Sequence, residues 1–298
     1  VRWFPLRVEF IAEVSSNHNG DLDRCLRFID VAKECGFTAV KFQLFKVKKL
    51  FSPEALRFDP ALLDREKWEL PVEFLPHISQ RAKRLGLKFI CTPFYLSAVD
   101  ELLPFVDAYK VASYELLWGG LLERIAATGK PVIISTGMAT LREVVDAVNL
   151  IVKGGGKDIT ILHCVSSYPA PVGECNLSAI ETMRRSISVS GDVSLRFGWS
   201  DHSVKEGVIL RAVHRWGAEV VEVHFDLDEK GDEYAFGHCW LPQRAKGLIE
   251  MVRDGFLSDG DGEKMPRKIE LDERMWRADP EDGLRPLKIT RRRLRRDD

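Results

Sequence analysis

The chain has 298 residues, 45% of them hydrophobic, and 44 Lys+Arg against 45 Asp+Glu give a formal net charge of −1. So even a balance argues against nucleic acid or a charged membrane surface as the main partner, and no stretch approaches the ~20 apolar residues of a membrane span. The length suits two average domains or one α/β barrel.

The opening VRWFPLRVEF lacks a signal-peptide layout, so a cytoplasmic location is expected. The six cysteines form no CxxC and no zinc spacing, which predicts buried thiols in a reducing compartment.

Val8–Ser15 is an apolar run that predicts a first strand, with a buried acid at Glu13 or Glu9. Asp21 caps a helix carrying Leu22, Leu26, Ile29 and Ala32, and Gly36 ends it. Thr38–Leu44 is the second strand, with Lys41 and Gln43 set in an apolar run; a lysine there needs an anion or a wet cavity. Phe45 to Leu70, punctuated by Pro53 and Pro60, reads as a long functional connection of the kind that forms lids. A helix follows over Val72–Leu85. The third strand is Leu87–Cys91, the fourth Ala108–Ser113 and the fifth Pro131–Ser135, with short helices at Ala98–Leu103 and Leu121–Ala127.

Leu141–Val152 is a helix, Ile159–Val165 the sixth strand and Ala179–Arg185 a helix. Val193–Trp199 is the seventh strand and Ala218–His224 the eighth, joined by a helix through Ile209, Leu210, Val213 and Trp216; Arg244–Asp254 is the last helix. Eight strands alternating with helices predict an α/β fold, a (β/α)8 TIM barrel over 1–258. A doubly wound open sheet is the second choice, but Asn17-His18-Asn19-Gly20 is no glycine-rich dinucleotide turn. Residues 259–298 read as a charged extension rather than an independent domain, and the closing arginine run as a solvated tail.

Polar residues gather where strands end, the face on which barrel active sites are built. Lys41 and Lys110 are cations, and Thr92, Ser113, Ser135 and Ser200 are short hydroxyls; together they suit a small anion with a phosphate and a carboxylate. His202 and His224 end neighbouring strands, ~5 Å apart if paired. Two imidazoles placed so can share a divalent metal, and the alternative is two unrelated hydrogen-bonding histidines. Glu13 and Glu115 remain as acids or bases. His163 reads as a satisfied core histidine; of the others only His238 is a candidate to face the site.

The stretches IAEVSSNHNGDL, AVKFQLFK, CTPF, YKVASYE, KPVIISTGMAT, ILHCVSSYPAP, GWSDHS and VEVHF, in this order, resemble the sialic acid (nonulosonic acid) synthase family, NeuB type. The resemblance implies condensation of phosphoenolpyruvate (PEP) with an amino-sugar aldehyde, assisted by a divalent metal, usually Mn2+, with Mg2+ or Co2+ as alternatives. It implies a PEP site of Lys41, Thr92, Lys110, Ser113, Ser135 and Ser200, metal ligands His202 and His224, Glu13 at the reacting carbons, and Glu115, Gln43 and Tyr168 towards the substrates. Small-molecule partners and a homodimer are expected.

Three departures from the family stand out, the first at the phosphate and the other two at the acceptor. Ser166 stands where the family often has Asn. After the eighth strand GDEYAFGHCWLP replaces a Gly-Pro-Asp-His-like stretch, leaving Asp232, Glu233 or His238 to substitute for its aspartate. The family's C-terminal antifreeze-like domain has no counterpart in 259–298. The rival readings are a related metal-dependent aldolase or lyase, and a non-catalytic barrel scaffold.

Overall fold

The computed structural model describes residues 8–294, and in it the eight apolar runs become one closed, all-parallel barrel in the order β1 to β8. The strands are β1 (Glu9–Glu13), β2 (Ala39–Leu44), β3 (Lys88–Pro93), β4 (Ala108–Val111), β5 (Val132–Ser135), β6 (Asp158–Cys164), β7 (Ser194–Asp201) and β8 (Val220–His224). The seam closes because β1 pairs with both ends of the series: Glu13 lies opposite Lys41 on one side and His224 on the other.

The interior is layered by the two-residue period of a strand. Ile11, Ala39, Ile90, Ala108, Ile133, Leu162 and Val220 form a buried apolar plug. β7 contributes Gly198 to that level, in register with Leu162 and Val220. No side chain fits there: a Cβ on Gly198 would stand 2.1 Å from the Val220 carbonyl oxygen and 2.7 Å from Leu162 Cδ2. Two residues further along each strand the level turns polar, and this change positions the site.

The surrounding helices follow their local signals. Asp21 caps Leu22–Cys35 by accepting from Arg24 N, and Gly36 ends it at φ 94°. Thr140 and Glu143 form a reciprocal capping box for Leu141–Lys153. The 45–70 connection differs from a structureless lid. It folds into two short helices, Val47–Leu50 and Pro53–Phe58, and a 3-10 segment, Pro60–Trp68, because Ser52 and Asp59 cap successive turns and proline opens each of the latter two. β4 is shorter than expected, since Ser113–Glu115 turns out as a 3-10 segment.

The chain divides into two compact units, Val1–Gly255 and Phe256–Asp298. In the second, Asp279 accepts from Lys288 N and Asp282 pairs with Arg291 beside the helix Lys288–Leu294. The N-terminal residues 1–7 and the last four of the arginine-rich run lie outside the described residues. Among the described residues no helix is long and apolar enough to cross a membrane. All six cysteines are buried and free.

Candidate active site

Adding two to each plug position gives Glu13, Lys41, Thr92, Lys110, Ser135, Cys164, Ser200 and Glu222, and every one is buried. Two lysines face two glutamates. Lys41 Nζ is 2.6 Å from Glu13 Oε2 and 3.7 Å from Glu222 Oε1, and Lys110 Nζ is 3.7 Å from that same Glu222 oxygen. Ser200 Oγ donates to it at 3.2 Å. Buried charge is tolerable only when paired this way.

The pairing sets the titration. Burial pushes the Lys41 ammonium down, but Glu13 and Glu222 outweigh it and the net direction is up. At Lys110 burial prevails over Glu222 and the net direction is down. Burial raises Glu222, yet Lys110 and Lys41 reverse this and hold it low. Glu13 is raised to about 6, burial exceeding the pull of Lys41.

Above this level stands a serine cradle. Ser113 Oγ accepts from Gly137 N at 3.0 Å. A Cβ on Gly137 would meet Ser166 Oγ at 2.2 Å and Ser113 Oγ at 2.8 Å, so both hydroxyls crowd that backbone. Ser135 Oγ and Ser166 Oγ are buried without a hydrogen-bond partner. Buried hydroxyls in that state are rare, and of the two Ser135 lines the cavity. Glu115, at the β4 exit, is raised to about 7 by burial against the opposing pull of Lys110.

The histidines form the upper rim. His202 Nδ1 lies 2.8 Å from the Val165 carbonyl oxygen. A carbonyl only accepts, so Nδ1 carries the proton and Nε2 keeps its lone pair. His224 Nδ1 is 3.3 Å from Glu233 Oε2, which by the same logic frees its Nε2. The two rings lie 5.2 Å apart, and Tyr168 packs on His202 at 4.2 Å. Burial lowers the pKa of both imidazoles, His224 to about 3, which keeps them neutral and ligand-competent. Neutral imidazoles with free ring nitrogens beside a carboxylate fit a borderline divalent cation such as Mn, Fe, Co or Zn.

The whole encloses a cavity of about 670 Å³. Its outer wall is the 45–70 connection, through Phe45, Leu50, Phe51, Arg65 and Trp68.

Comparison with known proteins identifies the family. The NeuB family pattern matches residues 28–264. The chain belongs to the NeuB family. It is 35% identical over 273 residues to the N,N'-diacetyllegionaminic acid synthase of Campylobacter jejuni, covering 87% of this chain and 80% of that protein. It is 30% identical over 288 residues to the pseudaminic acid synthase of Helicobacter pylori, covering 91% and 81%. Among solved structures, an N-acetylneuraminic acid (sialic acid) synthetase from Leptospira borgpetersenii superposes with a TM-score of 0.76 at 30% identity, covering 89% of this chain and 90% of that one.

In this NeuB barrel the residues expected from sequence converge. Glu13, Lys41, Gln43, Lys110, Ser113 and Glu115 line the cavity on one side, and Ser135, Tyr168, Ser200, His202 and His224 on the other. Thr92 and Ser166 stand behind the wall, Thr92 Oγ1 being 3.5 Å from Lys41 Nζ. Glu9, the alternative buried acid, sits at the opposite end of β1, paired with Lys88 and Arg196. His163 is satisfied by the Cys175 carbonyl at 3.1 Å.

Sequence reasoning missed Glu222, although the period-2 spacing to His224 on the same strand marks it as inward-facing. It left Glu233 and His238 undecided. Both line the cavity, whereas Asp232 lies on the exposed side, its N donating to Asn19 Oδ1.

Proposed function

We propose that this enzyme condenses PEP with the aldehyde of an open-chain amino sugar to give a 2-keto sugar acid and phosphate. The observation that carries the reading is the convergence of two buried lysines with the unpartnered Ser135 hydroxyl on one cavity wall. The two lysines share Glu222 only at 3.7 Å, so an anion with a phosphate and a carboxylate can take up their remaining donors and meet the serine hydroxyl.

Lys110, Ser113 and Ser135 then hold the phosphate, and Lys41 and Ser200 the carboxylate end, with Thr92 behind Lys41 and Ser166 behind the serine cradle. Glu13, fixed between Lys41 and Gln43 at 2.6 Å each, faces the reacting carbons. Glu115 and Tyr168 face the acceptor. A divalent cation at His202 and His224, Mn2+ first among the candidates, would supply Lewis-acid polarisation of the aldehyde oxygen. C3 of PEP bonds to the aldehyde carbon, whose oxygen takes a proton to become a hydroxyl. Water adds at C2, and the C2–O bond to phosphate then breaks, leaving the keto group. The residues' share is to orient the two substrates, to move the protons through Glu13 and Glu115, and to offset charge on the departing phosphate through Lys110.

The test is phosphate release by Mn2+-loaded protein given PEP and a pool of amino-sugar and plain aldoses. Release should require an acceptor, and Lys110→Ala should lower kcat/KM by roughly 10²- to 10³-fold. With ¹⁸O in the bridging position of PEP, the label should appear in phosphate. Absence of release with every acceptor, PEP and metal both bound, sinks the reading. A Schiff-base aldolase is the second reading, because the lowered pKa of Lys110 is what such a nucleophile needs. Borohydride trapping of pyruvate on Lys110 would favour it.

A further inference from the structure

His238 is an unusual buried histidine. It is 3% exposed, and its Nδ1 is fully buried with no hydrogen-bond partner among the described residues, while Nε2 faces Glu233 Oε2 at 3.7 Å. A buried polar side chain left so is rare and points to a missing partner. Its ring lies 4.5 Å from that of His224 and 6.2 Å from that of His202, with Tyr168 at 5.0 Å. His224, His238 and Cys239 each bring one potential donor atom to within 4.8 Å of the others.

The placement is built, not incidental. Trp240 N donates to the His224 carbonyl at 2.7 Å, and Asp226 N donates to the Trp240 carbonyl at 2.9 Å, laying the 238–240 segment along the exit of β8. Trp240 Nε1 anchors it from below by donating to Asp201 Oδ2 at 3.1 Å. Asn17 fixes the intervening loop from the β1 side, accepting from Glu233 N at 2.8 Å and donating to the Phe225 carbonyl at 3.0 Å.

We propose that His238 is a third imidazole ligand to the divalent cation of this site, and that Glu233, facing both His224 and His238, orients their rings. This rests on the reading above that the site takes a cation. Glu233 is therefore a positioning residue, holding the protonated edge of His224 so that the lone-pair edge faces inward. Cys239 is left out of the ligand set because its sulfur is engaged by Asn17 Nδ2 at 3.4 Å. Three nitrogens favour Co2+ and Zn2+ more strongly than two do.

The test uses the full chain, stripped by chelation and titrated with Co2+, read by calorimetry and visible absorption rather than by turnover. One Co2+ per chain is expected. His238→Ala should weaken it at least tenfold and alter the ligand-field bands, and Glu233→Gln should weaken it about 10- to 100-fold with smaller spectral change. His238→Gln, checked by circular dichroism and thermal melting, guards against a folding defect. Wild-type affinity and spectrum in a folded His238 variant would overturn the proposal while leaving a two-histidine site. A thiolate-to-cobalt charge-transfer band abolished by Cys239→Ser would overturn the ligand set. If the wild-type chain binds no Co2+, the cation reading and the proposal fall together, and PEP binding to the metal-free protein still tests the anion pocket by itself.

Discussion

Glu115 shows how one side chain reports on the site it occupies. Burial raises its pKa from 4.5 to about 7, because Lys110 compensates only part of the lost hydration. The unfolded chain releases this proton near 4.5 and the folded chain only near 7. The stability linked to the proton is therefore present in full below about 4.5 and lost as pH rises through about 7. Glu115→Gln should flatten that part of the stability profile, which urea unfolding at pH 4.5, 6 and 8 would register; an unchanged slope would place the pKa elsewhere. If the site takes PEP as proposed, the added negative charge beside Glu115 should hold its proton more tightly.

At the scale of an element, the end of β7 carries a knot on which the rim depends. Asp201 is fully buried and accepts from Trp199 Nε1, Trp240 Nε1, Ser203 N, Ser203 Oγ and Val204 N, at 2.6 to 3.2 Å. Asp201→Asn turns one acceptor oxygen into a donor facing donors, and should cost about 3 kcal/mol, a fall in Tm of roughly 6 to 12 °C. Calorimetry would measure it. Gly198→Ala on the same strand should be worse tolerated than any exposed glycine substitution, since its Cβ would stand 2.1 Å from the Val220 carbonyl oxygen; expression as insoluble protein is the expected outcome. Neither role is visible in the letters SDH or GWS. Asp201 reads as part of a motif with His202, and only the folded strand shows that one partner binds indole nitrogens while the other faces the cavity.

At the scale of the molecule, the barrel was legible because both of its signals are periodic and local. Apolar runs of strand length alternate with capped helices, and polar residues recur at the same end of each run. What was hidden depends on chain segments far apart in sequence. Glu222 gains meaning only once β8 lies beside β7 and across from Lys41. Glu233 and His238 belong to a loop whose course is set by Asn17 and Trp240, and no period announces it. The 45–70 connection was legible as a long segment, and it lines the cavity, but its helices were not legible, since caps at Ser52 and Asp59 act over single turns. Closure itself is testable: a chain ending at residue 218 lacks β8 and leaves β1 and β7 as open edges. It should show no cooperative urea transition, and a sharp transition would show that seven strands suffice.

The sequence positions of the site residues also set an order of arrival. Lys41 and Lys110 leave the ribosome early, whereas Glu222, which faces both at 3.7 Å, is nearly the last of the barrel to be made. A nascent chain therefore carries two cations destined for burial before it carries the counterion they share. Glu13 precedes both and meets Lys41 at 2.6 Å, so the cation left waiting for its counterion is Lys110. Phosphate added during refolding should therefore speed recovery of the native fold, which refolding with and without phosphate would measure.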